Sequence, residues 1–206
     1  MPIEINPSRA ALAAAADLHC DSLPGSIISM LGPAYALAFY RFAASSDTHS
    51  VFVARDGKGQ IIGGAVLSLD PTSLSMRLLF QTPLLLHLMR RPSLALQTTW
   101  DALCEKLWPN NDKQTYRIPE VVAIFTETNH RNHGVGKELI QEIEAYLVAR
   151  GIYRYMVRTR GNFENRAINF YEREGFQYID RYYAHGTWFQ LLAKDIKAVQ
   201  RGSRLF

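Results

Sequence analysis

One hydrophobic period stands out along this chain. From 134 to 150, Leu139, Ile140, Ile143 and Leu147 recur at the spacing of one helical face, and Gly151 ends the run, which predicts an amphipathic helix. Residues 8–20 are alanine-rich with Ser8 as a plausible cap, and a second helix begins after Gly32-Pro33 and carries Leu37, Tyr40 and Arg41. Residues 50–55 and 60–69 read as strands, joined by Asp56-Gly57-Lys58-Gly59, a strong hairpin signal. Residues 120–126, an acidic residue leading an apolar run, read as a strand of the buried type. After the periodic helix come a strand over 152–159, a short helix over 165–173 with Gly175 at its end, and a closing antiparallel pair, 176–185 and 187–194, that turns near Gly186. Between 72 and 117, leucines interleaved with Pro83, Pro92 and Pro109 predict two or three short helices rather than sheet. There is no internal repeat and no low-complexity linker.

A length of 206 residues fits one domain spanning 1–206, with the helical insertion at about 72–117. The chain is 48% apolar and 20% charged, ordinary for a globular protein, and its net charge of +4 is spread over scattered arginines and lysines, which disfavours nucleic acid as a partner. Cys20 and Cys104 form neither a disulfide framework nor a CxxC pattern, so free thiols in a reducing cytoplasm are expected. The first residues lack a basic stretch followed by a long apolar one, and no apolar run approaches a membrane span.

The chemistry gathers in two segments. Arg131-Asn132-His133-Gly134-Val135-Gly136 follows the 120–126 strand and opens the periodic helix. Glycines there let backbone N–H groups converge on an anion, and the helix dipole adds to the attraction. Asn165-Arg166-Ala167-Ile168-Asn169-Phe170-Tyr171, running on to Gly175-Phe176, sets a tyrosine on a short helix after the next strand. Together they suggest a grip for a pyrophosphate with a phenol nearby. Taken alone, the glycines read equally well as a plain strand-to-helix turn.

In these segments the chain resembles the GCN5-related N-acetyltransferase (GNAT) family, whose Q/R-x-x-G-x-G/A motif matches Arg131 to Gly136 and whose N-x-x-A-x-x-F-Y-x-x-x-G-F pattern matches Asn165 to Phe176 without a gap. The resemblance covers roughly 50–70 and 118–195, and a bacterial subset shares Leu23-Pro24, Leu31-Gly32, Leu69-Asp70-Pro71 and the leucine/arginine-rich insertion. Thr126 and Thr128 depart from the usual valine or isoleucine and proline, and His133 stands where lysine or glycine is common. The expected contact at Thr126 uses backbone, so binding should survive.

The resemblance implies an α/β (α+β) acyltransferase fold, a mixed and mostly antiparallel sheet flanked by helices, with acetyl-coenzyme A as donor, an amine as acceptor and no metal. Backbone N–H groups of Asn132, His133, Gly134, Val135, Gly136 and Lys137 would cradle the pyrophosphate. Arg131 would orient the loop, the Ile124-Phe125-Thr126 edge would pair with the pantetheine arm, and Asn165 would hold that arm from the other side. Glu120 would take the acceptor's proton, with Glu127 as runner-up. Tyr171 would protonate the leaving thiolate, and a backbone N–H near Phe125 or Thr126 would steady the oxyanion. The bland readings are a solvated carboxylate for Glu120 and a packed aromatic for Tyr171.

Other features carry less. His130 and His133 have a loose H-x-x-H spacing without further ligands nearby. Gly134 to Glu138 lacks the spacing of a nucleotide-hydrolysing phosphate loop. Asp17, His19, Tyr35, Tyr182, Tyr183 and His185 could border the acceptor. The insertion would pack on its own domain, cap the pocket, join a homodimer or touch a membrane, the last disfavoured. The competing function is an acyl-coenzyme A-binding module that has lost turnover. A weaker one is a peripheral membrane enzyme acting on a lipid-linked sugar.

Overall fold

In a computed structural model of the chain, the residues described are 1–71, 118–160, 166–184 and 187–196. The insertion with Cys104, together with Asn165 and His185, lies outside them. Seven strands form one sheet in the order β1-β2-β3-β4-β5-β7-β6. They are β1 (Ile3–Ile5), β2 (His49–Arg55), β3 (Ile61–Ser68), β4 (Glu120–Thr126), β5 (Arg154–Arg160), β6 (Gln177–Ala184) and β7 (Thr187–Asp195). Every neighbouring pair is antiparallel except β4 and β5.

Two helical layers cover the sheet. On one face lie α1 (Arg9–Ser22), α2 (Ile27–Met30) and α3 (Pro33–Ser45), packed on Val51, Val53, Val66 and Phe125. Ser8 caps α1 by accepting from Ala11 N–H, and Pro33 opens α3 where its missing N–H costs nothing. On the other face α4 (Val135–Val148) presses its stripe of Leu139, Ile140, Ile143 and Leu147, all fully buried, onto Phe52, Leu67, Val121 and Val157. The short helix α5 (Arg166–Arg173) adds Tyr171 to that core. Gly151, at φ +73°, ends the α4 segment as its sequence predicts.

The expected elements are present to within a residue or two in the described chain. The sequence pattern did not reveal β1 or α2, because three and four residues are too few to display a period. Among the described residues no helix is long and apolar enough to cross a membrane.

Candidate active site

The parallel pairing of β4 with β5 makes the site. It holds only at Glu120 with Met156 and Val121 with Val157. Beyond that point β4 stays on β3 as far as Thr126, while β5 stays on β7 as far as Arg160. A wedge therefore opens between 122–126 and 158–160. Val122 has no partner in β3, whose register steps from Leu67 opposite Val121 to Val66 opposite Ala123, so a bulge bends β4 where the strands part.

At the wide end of the wedge the chain turns sharply into α4. A single 3-10 turn, Thr128–His130, leads to Asn132 at φ +65° and Gly134 at φ +84°, ψ −3°. Gly134 is the N-cap of α4 and supplies no side-chain cap. The first helical donor that is satisfied is Glu138 N–H, to Gly134 C=O at 3.0 Å. Among the described residues the amides of Asn132 to Lys137 have no acceptor. A run of open N–H groups at the positive end of a 14-residue helix suits an anion. Val135 faces the core while Asn132, His133 and Lys137 are exposed, so packing fixes the helix and leaves its first turn open to solvent.

The two loop glycines serve different ends. Gly134 needs its left-handed backbone and has open space around it. Gly136 has ordinary backbone, but a Cβ there would lie 3.1 Å from Phe170 Cζ, so its smallness lets α4 meet α5. Gly63 was not singled out in the sequence. A Cβ on it would come within 2.8 Å of Val135 Cγ1 and 2.9 Å of Phe125 O, so the first turn of α4 can sit on β3 only because this residue is glycine. The Gly63-Gly64 pair inside a strand pattern was the available signal.

Two arginines tie the α1–α2 connection across the wedge. Arg131 donates from Nε to Thr126 C=O at 3.4 Å and from Nη2 to Ser22 C=O at 3.3 Å. From the opposite strand Arg160 Nη2 donates to Gly25 C=O. Arg131 thus links its loop to the end of β4 and the end of α1.

At the vertex of the wedge Glu120 is 6% exposed and ion-paired with Arg158, Nη2 to Oε2 at 2.7 Å. Burial pushes its carboxyl above the ordinary range, while the Arg158 guanidinium pulls the other way. It is a buried carboxylate rather than the solvated one of the bland reading. Glu127 lies at the far end, bonded to His130 Nδ1 at 2.8 Å. Tyr171 is 6% exposed, with ring centroids 5.3 Å from both Phe170 and Phe176, and burial raises its phenol well above the usual value. The packed-aromatic reading of Tyr171 therefore describes its surroundings, and the phenol stays protonated there.

Of the outlying residues, Asp17 is exposed on α1, Tyr35 is buried in the helical layer with its phenol pushed up to about 12, and Tyr183 is exposed on β6. His19 is fully buried and engaged on both nitrogens, Nδ1 with Tyr40 hydroxyl at 2.9 Å and Nε2 with Ser26 Oγ at 2.8 Å, with its ring 5.3 Å from Phe125. Burial lowers its pKa to about 4. Among the described residues no three His, Cys, Asp or Glu side chains gather as a metal site would require.

The sequence model of the acetyltransferase (GNAT) family matches residues 14–176. Among solved structures, the ribosomal-protein-alanine N-acetyltransferase of Brucella melitensis superimposes with a TM-score of 0.60 at 13% identity, covering 95% of this chain and 100% of that one. The ribosomal-protein-S18-alanine N-acetyltransferase of Escherichia coli gives 0.57 at 13% identity over 100% and 99%. An aminoglycoside 6'-acetyltransferase type Ii gives 0.61 at 13% identity over 96% and 99%. No curated protein matches the sequence significantly.

Proposed function

Because this chain belongs to the acetyltransferase (GNAT) family, we propose that it transfers the acetyl group of acetyl-coenzyme A to the amine of a small molecule, an amino sugar or a peptide, by direct attack with both substrates bound. The observation that carries this reading is the row of amides without acceptors from Asn132 to Lys137, set at the mouth of the β4–β5 wedge. The cofactor's pyrophosphate is the anion those amides fit. Its pantetheine arm is an extended amide chain that suits the side of Ile124, Phe125 and Thr126 that β5 leaves unpaired. Asn165 is proposed to hold the arm from the α5 side.

In this reading the acceptor ammonium gives a proton to Glu120, and the freed amine attacks the thioester carbonyl. The oxyanion is met by the amide of Phe125 or Thr126. A phenol raised above 10 is a weaker acid than a thiol of about 8.5. Tyr171 therefore serves the departing sulfur chiefly as a hydrogen-bond donor, a refinement of the simple acid role. Holding both substrates in one wedge supplies much of the acceleration through orientation.

Thiol release from acetyl-coenzyme A, measured over a panel of small amines, amino sugars and peptides with free N-termini, tests the reading. Turnover of at least one acceptor is expected. Tight coenzyme A binding with no turnover across the panel would replace it with the acyl-coenzyme A-binding module.

A further inference from the structure

Beyond the wedge, the α1–α3 face carries a row of buried polar side chains that packing alone does not require. His49 of β2 is the cross-strand partner of Ser68 of β3, and Ser68 is the partner of Glu120 of β4. All three share one face. The His49 ring packs on Phe42 of α3, with centroids 5.4 Å apart, whereas the strand neighbours Leu67 and Val121 point into the α4 core. They are 1%, 0% and 6% exposed. Ser68 Oγ is buried with no hydrogen-bond partner among the described residues, an arrangement a folded chain normally avoids. At the outer end of the row His49 Nδ1 bonds Ser46 Oγ and Thr48 Oγ1, each at 2.9 Å, and both residues are only half-buried.

We propose that Ser68 and His49 form a proton outlet from Glu120 to solvent. The proposal rests on Glu120 as the base of the reaction above. Directly opposed side chains on neighbouring strands have Cβ atoms about 5 Å apart, a spacing that one bridging water on each side of Ser68 would span, and the three polar groups supply the partners such a water needs. The Glu120 carboxyl O–H bond breaks as Ser68 Oγ takes the proton and passes its own hydroxyl proton to His49 Nε2. His49 in turn releases the Nδ1 proton through Ser46 or Thr48 to water. Glu120 returns to carboxylate and the imidazole ends neutral as its Nε2–H tautomer, so no charge is left in the row and the ring must return to the Nδ1–H tautomer before the next turnover. Arg158 of β5, the cation that faces Glu120, favours the carboxylate and so favours emptying the site.

Two measurements on the full chain test the outlet. The first needs no acceptor: with histidines labelled with nitrogen-15 and the His49 signals assigned by their loss in His49→Gln, Ser68→Ala is expected to shift the His49 ring resonances. The second follows thiol release with the best amine of the panel. Ser68→Ala is expected to cut kcat about tenfold, a modest share of what general-base catalysis supplies. KM for acetyl-coenzyme A should hold, and the solvent deuterium isotope effect on kcat should rise, which a packing role would not produce. Unmoved His49 resonances, or a rate loss without that rise, overturn the proposal. If the parent protein turned over no amine, the proposed function would fall and the resonance measurement would still decide the outlet.

Discussion

The two faces of the sheet divide the labour. The α4 face is a mainly apolar core in which Leu139, Ile140, Ile143 and Leu147 meet Leu67, Val121 and Val157, with Tyr155, Tyr171 and Ser50 as its buried polar-tipped side chains. The α1–α3 face is also well filled, yet it buries His19, Tyr40, His49, Ser68 and Glu120. Burying a polar group costs free energy unless it is paired; four of these five have partners, and Ser68 Oγ has none among the described residues. The apolar face holds the Asn132–Lys137 turn in place from behind, and the other face carries the ionisable groups at the vertex of the wedge.

The contrast is broken most severely by exchanging one residue on each face. Glu120→Gln is expected to lower kcat by on the order of a hundredfold or more while coenzyme A affinity stays near that of the parent, with some loss of urea midpoint because Arg158 keeps its charge without the carboxylate. Leu139→Ala should do the reverse, removing about 3 kcal/mol of stability in urea unfolding with kcat of the folded fraction retained. A stable, inactive Leu139→Ala protein would refute the division of labour.

His19 sharpens the polar side of the comparison. Its pKa falls from 6.5 to about 4 on burial. The unfolded chain therefore binds a proton that the folded chain refuses between those values, and stability present above pH 6.5 is lost as pH falls toward 4. The loss across that window is roughly 3 kcal/mol. Urea unfolding at successive pH values should display it, and His19→Gln should flatten it.

The smallest effects separate the two glycines of the turn. Gly134→Ala strains a left-handed residue by about 1–2 kcal/mol, in the turn that presents the amides, and should weaken coenzyme A binding by calorimetry with little change elsewhere. Gly136→Ala sets a methyl 3.1 Å from Phe170 and should loosen the α4–α5 contact, lowering the thermal midpoint as well as affinity. Equal behaviour of the two variants would show that one physical reason serves both positions.

Much of this molecule is determined locally. Helical spacing fixes which face of α4 is buried, Asp56 to Gly59 fixes the β2–β3 hairpin, and the positive φ of Gly134 and Gly151 follows from what only glycine adopts cheaply. The candidate loop and Glu120 were likewise legible, since a strand running through a glycine turn into a helix is a short-range pattern. The sequence by itself was silent on Arg158 as the ion-pair partner of Glu120, on Arg131 and Arg160 gripping the α1–α2 connection, and on His49 lining up with Ser68. Those partners are 38, 109, 135 and 19 residues apart in the chain. Only strand order, register and the parting of β4 from β5 bring them together, because cross-strand proximity comes from long-range pairing that no local period encodes.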